Sequence, residues 1–311
     1  MKLKVMNAAG TAGKEVDLPE QFSEEVREDL IKKAVLAMQN NKRQAYGAFV
    51  DAGDRHVSWV SKRRRDWRGS YGKGISRVPR KVHSRRGTQF NWVGAQAPGT
   101  VGGRRAHPPK TQKVWDWKLN VKEKRKAIRS AMSATVHKDL VEKRGHFVPA
   151  AYPFIIDDSF EQIAKTSELL AALVKLGFEK EMDRASVTKT RTGRAKMRGR
   201  ATKHKKSVLL VAHDSRKLMA AAENLPGVEV IMVKKLNTEI LAPGGHYGRA
   251  TLFTHAAVEE LRKGLFTKNY AGVNTQQKTA KAAKKAEAKP AAKVAKPKAA
   301  APAKKKAAKK E

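Results

Sequence analysis

The sequence predicts an α/β fold, with an open, mostly parallel sheet flanked by helices, and three observations carry that reading. Short apolar runs alternate with amphipathic helical patterns over most of the chain, as they do where each strand is joined to the next by a crossover helix. The run "VLLVAHD" (208–214) is apolar without interruption until its end, as a strand covered on both faces is. The charge is also lopsided: 67 Lys+Arg face 29 Asp+Glu, a net +38. Residues 61–114 alone hold 15 Lys/Arg against the single acid Asp66, and residues 275–311 hold 13 Lys against two Glu. A moderately basic body therefore carries two strongly basic appendages.

The body reads in order as follows. "KLKVM" (Lys2–Met6) alternates like a short strand. In "SEEVREDLIKKAVLAMQNN", with the residue before it, Phe22, Val26, Leu30, Ala34 and Met38 form one helical stripe. Ser23 is the expected N-cap, with Glu24 and Glu25 in the first turn. "NVKEKRKAIRSAMSATV" predicts a helix capped by Asn120, with Val121, Ala127 and Ile128 inward. "FIID" (154–157) is a strand, followed by the helix "FEQIAKTSELLAALVKLG", whose Ile163, Leu170, Leu173 and Val174 share a side and which Gly177 ends. After "VLLVAHD" come the helix "RKLMAAAENL", the strands "VEVIMV" (228–233) and "ATLFT" (250–254), and the helix "HAAVEELRKGLF". A second, shorter basic stretch, "DRASVTKTRTGRAKMRGRATKHKK" (183–206), interrupts this order. It reads as a phosphate-contacting excursion or as a basic helix face in solvent.

The two appendages differ in kind. Residues 61–114 are rich in Arg and Gly, with Trp67, Tyr71, Phe90 and Trp92 interleaved. Arginine forks phosphates and stacks on bases, glycine lets backbones approach closely, and aromatic faces suit unpaired bases. Some fifty residues without a core of their own are rare in a compact domain unless functional. The tail is Lys, Ala and Pro with one valine, which predicts disorder, serving either solubility or nonspecific phosphate binding. The expected organisation is a discontinuous globular domain (1–60 and 115–268), an extended loop (61–114) and a disordered basic tail (269–311).

A net charge of this size calls for a polyanion, nucleic acid before membrane. No apolar run approaches the ~18 residues of a membrane span, and "MKLKVMNAAG" lacks the apolar middle of a signal peptide. The absence of cysteine excludes disulfides and thiolate metal sites. No phosphate-loop motif occurs. "GSYGKG" (69–74) does not join a strand to a helix, "PGGHYG" (243–248) is an isolated glycine cluster, and no histidine pair marks a metal site. His213 and Asp214 follow a strand end, where α/β enzymes place catalytic groups, but a single such pair is most simply incidental. The chain reads as a non-enzyme without cofactor.

"SRVPR…GGRRAHPPKTQK" followed by "KEKRKAIRSAMSATV", then "LNTEILAPGGHYGRATLFTHAAVEEL" (236–261), and "NNKRQAYG" (40–47) where the loop departs, together resemble the archaeal branch of large-ribosomal-subunit protein four, the universal L-four family, over about residues 1–267. The resemblance implies a cytoplasmic ribosomal protein with its α/β domain on the outside of the large subunit. It implies a long extension threading into 23S-type rRNA, contacts with several rRNA domains and neighbouring ribosomal proteins, and action early in assembly. No homo-oligomer or membrane partner is implied, and Mg2+ would enter only as a structural ion of the rRNA. By position, Arg63, Arg64, Arg65, Arg68, Arg80, Lys81, Arg85, Arg86, Arg104, Arg105, His107 and Lys110 are assigned to rRNA, as are Arg194, Arg198 and Arg200 of the second basic stretch. The tip, lining the polypeptide exit tunnel and facing the nascent chain, is assigned to Gly69, Tyr71, Gly72, Lys73, Gly74 and Arg77. The sequence departs from the family pattern in "RRRDWRGSYGKG" at the approach to that tip, and the tail lies outside the resemblance. Trp115 and Trp117 are left between two roles, meeting RNA or covering the globular domain. Two other functions compete with this one: a histone-like DNA-compacting protein, suggested by the tail alone, and an RNA-modifying enzyme, which would need a cofactor loop the sequence lacks.

Overall fold

The structure is a computed structural model describing residues 1–66, 69–214 and 216–267. Arg68, Trp67 and the predicted tail (269–311) lie outside the described residues. In chain order the elements are β1 (Lys2–Met6), β2 (Ala12–Asp17), α1 (Glu28–Asn41), β3 (Arg80–Arg86), β4 (Gln89–Gly94), α2 (Val121–Val136) and α3 (Lys138–Lys143). There follow β5 (Ile155–Ile156), α4 (Thr166–Lys175), α5 (Glu179–Ser186), β6 (Lys189–Thr190), α6 (Arg194–Met197) and β7 (Thr202–Lys203). The chain closes with β8 (Leu209–Ala212), α7 (Arg216–Ala222), β9 (Glu229–Met232), α8 (Thr238–Leu241), β10 (Thr251–Phe253) and α9 (His255–Arg262).

The body is built on two three-stranded sheets, β2-β1-β5 and β10-β8-β9. A parallel bridge between Ile156 and Thr254 joins them edge to edge. Within these two sheets all strand pairings but one are parallel; the exception is the β1–β2 hairpin at one edge. In β8, successive side chains serve opposite faces, as the period of a strand requires. Leu209 and Val211 join an apolar cluster with α1, α2, α8 and α9. Leu210 and Ala212 join a second cluster with α4, α5 and α7. This explains the uninterrupted apolar run.

Three sequence expectations need correction. Ser23 is not the helix cap: it ends a 3-10 turn at Glu20–Phe22, and α1 begins at Glu28. The cause is tertiary. Phe22 packs edge-on against Phe253 at 5.1 Å, and the Gln21 amide donates to the carbonyls of Leu261 and Leu265 at 2.7 and 2.9 Å. The buried residues of α1 are therefore Ile31, Ala34, Val35 and Ala37. Val121 begins α2 but is 61% exposed, while Ala127 and Ile128 do face inward. In the third case a 3-10 turn (Asp158–Gln162) precedes α4, which starts only at Thr166. Leu169, Ala172 and Leu173 are buried, whereas Leu170 and Val174 are 38% and 39% exposed. Gly177 does end α4: its N–H donates to Val174 O at 2.9 Å and the N–H of Phe178 to Leu173 O at 3.0 Å, closing the helix in the pattern of a Schellman motif.

Candidate nucleic-acid interface

Between α1 and α2 the chain leaves the body for nearly eighty residues, 42–120. No described residue between Val35 and Ile128 belongs to either apolar cluster. The segment must therefore be organised by hydrogen bonds, ring contacts and close backbone approach.

Its neck is tied by the end of α1. The Asn40 amide donates to the Trp115 carbonyl. Asn41 accepts from the Trp117 N–H at 2.8 Å and donates to its carbonyl at 3.3 Å. The Trp115 ring stacks on Tyr46, with centroids 5.6 Å apart, while the Arg43 guanidinium sits 3.9 Å and the Lys113 ammonium 4.3 Å from its centre. Trp115 is thus part of the neck and belongs to neither body cluster. Trp117 has its backbone pinned and its side chain 53% exposed.

Beyond the neck, outgoing and returning arms run side by side. Ala48 N–H donates to Pro109 O at 2.9 Å, and the His56 ring lies 3.3 Å from Gly102 O. Where they touch, Gly53 has a φ of +84°, and a Cβ there would fall 2.5 Å from the Arg104 Cα. Only glycine allows that approach. Asp54 then reaches the Arg104 guanidinium at 3.9 Å.

The arms meet at a junction in which Arg80 N–H donates to Trp59 O at 3.2 Å and Ala95 N–H to Pro79 O at 2.9 Å. There the chain forks. The first lobe (61–78) is closed at its base: the Ser61 hydroxyl donates to the Asp66 carboxylate, Gly69 N–H donates to Asp66 O at 3.0 Å, and Ser61 bridges Gly69. The one acid of residues 61–114 is thereby spent internally. The second lobe is the hairpin β3–β4, turning through Gly87 and Thr88 with Val82 opposite Trp92. Near its end Arg85 donates to Gly87 O at 2.8 Å and lies 5.3 Å from the centre of Phe90.

The residues assigned from sequence fall into four groups. Arg63, Arg64 and Arg65 are exposed at the base of the first lobe, and Tyr71, Gly72, Lys73, Gly74 and Arg77 are exposed beyond it. Arg77 lies over the Tyr71 ring at 4.3 Å, and Gly69 is buried. Arg85 and Arg86 project from the hairpin, while Arg80 and Lys81 are half-buried at the fork. Arg105, His107, Lys110 and the unassigned Lys113 border an open basin of about 590 Å3 whose apolar wall is Tyr46 and Trp115. Arg104 is drawn instead toward Asp54. The remaining three, Arg194, Arg198 and Arg200, sit elsewhere, on the excursion β6–α6–β7, which closes on itself through Arg191 N–H to Ala201 O at 2.7 Å and Arg200 N–H to Ala195 O at 3.0 Å. Sequence reasoning missed the hairpin, although Gly87-Thr88 between β-prone runs is a hairpin signal. It also missed Asn40, Asn41, Arg43, Tyr46 and Asp54, whose roles depend on partners some fifty to eighty residues away.

Among its described residues, the body holds no comparable arrangement for chemistry. At the C-terminal ends of β8 and β10, where a ligand would sit, the Glu161 carboxylate accepts from His213 N–H at 2.8 Å, Asp214 N–H at 3.1 Å and the Thr254 hydroxyl at 2.7 Å. The strand-end donors are thus already occupied by a carboxylate of the chain itself. Among the described residues, no group of His, Asp and Glu is arranged to hold a metal ion, and no helix is long and apolar enough to cross a membrane. The buried charges are structural. Burial alone would raise the Glu181 carboxyl, but Arg184, His146 and the Phe147 N–H together hold it down at about 2. Burial pushes His146 below its ordinary range, against the pull of Glu181 at 2.8 Å. Arg249, fully buried, donates to Ser207 O at 2.9 Å and Glu229 at 2.5 Å, locking the β8–β9 end of the sheet.

Residues 16–264 match the model of the family described as "Ribosomal protein L4/L1 family". Among curated relatives, the chain is 45% identical over 264 residues to the "Large ribosomal subunit protein uL4" of Nanoarchaeum equitans, covering 85% of this chain and 98% of that one. It is 44% identical to the protein of that name from Methanospirillum hungatei, over 84% of this chain and 98% of the relative. For Archaeoglobus fulgidus the figures are 42% identity, 85% of this chain and all of the relative.

Proposed function

The chain belongs to the ribosomal protein L4/L1 family, and from that premise we propose that it is a structural protein of the large ribosomal subunit, held there by burial of its 42–120 extension in rRNA. It is a structural ribosomal protein and not an enzyme. The observation that carries the RNA reading is the extension itself: almost eighty residues, none of the described ones joining the apolar clusters, whose single acid in 61–114 is engaged internally, and which present Arg, Lys and aromatic side chains outward. Such a surface is stable only where phosphates neutralise it and bases cover its rings.

On this reading Arg63, Arg64 and Arg65 at the base of the first lobe and Arg85 and Arg86 of the hairpin, together with Arg105, His107 and Lys110 around the neck basin, contact phosphate and sugar. Arg194, Arg198 and Arg200 supply a second contact from the body. The exposed stretch 71–77 of the first lobe lines the exit tunnel and meets the nascent chain. The protein binds early in subunit assembly, works in the cytoplasm, and has 23S-type rRNA and neighbouring large-subunit proteins as its partners. DNA compaction rested on the tail alone and gives no reason for a match spanning residues 16–264.

Sedimentation tests the reading. Tagged protein expressed in an archaeal host should travel with large subunits through a gradient at moderate salt. Recovery at the top of the gradient, or with DNA, would overturn it.

A further inference from the structure

We infer that the cleft between the two lobes of the extension is a pocket for one unstacked nucleobase of a folded RNA. The inference rests on the RNA-binding reading above and goes beyond it, from phosphate contact to a specific base site.

The backbone register creates the pocket. Trp59 bridges Arg80 in antiparallel fashion, and Val82 pairs with Trp92 across the hairpin. Residues paired in this way, and those two apart along a strand, share a face. Trp59, Arg80, Val82 and Trp92 therefore line one side of a small three-stranded patch. Ile75 and Val78 of the first lobe also line the space, which is about 430 Å3, within the range of small-ligand pockets. Trp59 is 45% exposed there.

The chemistry selects the occupant. The walls are apolar and aromatic, Arg55, Arg80 and Lys81 are cationic, and no described lining residue is acidic. Arg80 is held in place by its own bonds to Val78 O and the Ser76 hydroxyl, each 3.3 Å. A flat base against indole, with its flanking phosphates on fixed cations, uses both features. An apolar side chain from a neighbouring protein would use only the first. A base already turned out of its helix, as at a bulge, meets the least unstacking cost.

Full-length protein should be titrated with an RNA hairpin carrying one bulged 2-aminopurine, and with the same hairpin lacking the bulge. Preference for the bulged hairpin should be about tenfold, the scale of one base–aromatic stack, and the 2-aminopurine emission should fall on binding. Trp59→Leu combined with Trp92→Leu should abolish both the preference and the quench, with the plain hairpin still bound. Because Trp92 belongs to the hairpin of the protein, Ile75→Trp provides a second variant that fills the cleft from the first lobe, and it should do the same. Equal binding of the two RNAs by the unaltered protein overturns the pocket while leaving the RNA reading intact; that is also the outcome if a protein side chain fills the cleft. A preference that survives both variants places the base elsewhere and overturns it too. Failure to bind either RNA at low salt removes the RNA reading along with the pocket.

Discussion

Glu161 and Glu181 show what single carboxylates do in a body this basic. Glu161 satisfies two backbone N–H groups and a hydroxyl at the ends of β8 and β10. Glu161→Ala leaves those N–H groups without that partner and should cost about 1–3 kcal/mol in urea unfolding. Glu181 is the centre of a buried cluster with Arg184, His146 and Ser207. Glu181→Ala strands the Arg184 charge and should cost about 3–5 kcal/mol. The cluster also sets the acid response. His146 is lowered and Glu181 is held at about 2, so the unfolded chain binds more protons than the native one on both counts. The His146 contribution is complete above its unfolded value of about 6.5 and wanes as pH falls below it; the Glu181 contribution is complete above about 4.3 and is lost as pH falls through its folded value. The urea midpoint should therefore decline steadily from pH 7 to pH 3, and Glu181→Gln should flatten the lower part. A midpoint independent of pH over that span would contradict the burial of both groups. None of this is visible in the sequence, because Glu161 and Glu181 look like ordinary surface acids until the strand ends and the β8 edge are folded onto them.

At the scale of elements, the body was legible where burial alone decides. "VLLVAHD" reads as a two-faced strand because both faces of β8 are covered, and the closing helix α9 follows its own periodicity. Legibility failed where a tertiary contact overrode local preference, as when Phe22 and Gln21 delayed α1. Composition marks residues 61–114 as basic and rich in Arg and Gly, but it gives no sign of the neck and fork, since Asn41 finds Trp117 and Gly53 finds Arg104 only across the arms. Because no described residue between Val35 and Ile128 belongs to either apolar cluster, replacing residues 45–112 with a short Gly/Ser linker should leave the body folded. Its stability should change by no more than about 2 kcal/mol, since loop closure varies by only about 0.6 kcal/mol per doubling of length; a cooperative loss of the body in thermal unfolding would show that the extension supports it. Within the extension, changing Arg104, Arg105 and Lys110 together to Ala should reduce the salt slope of rRNA binding by about 2–3 units. The same assay on Lys73→Ala with Arg77→Ala should change it less if, as proposed, the tip keeps one side on a water-filled tunnel. Equal slopes for the two variants would contradict the assignment of tip and anchor.

At the scale of the whole molecule, the net +38 and the two-part architecture make one physical statement: the body folds by its own apolar clusters, and the extension is completed by something outside the chain. That completion is the central claim, and amide hydrogen exchange followed by mass spectrometry tests it most directly. Free full-length protein and protein assembled into purified large subunits should be compared peptide by peptide. In the free protein, residues 43–120 should exchange rapidly, with partial protection at the β3–β4 hairpin alone, while β8, β10 and α2 are strongly protected. In the subunit, protection should rise across 43–120 and change little in the body. Exchange over 43–120 that is the same in both states would contradict an extension buried in RNA.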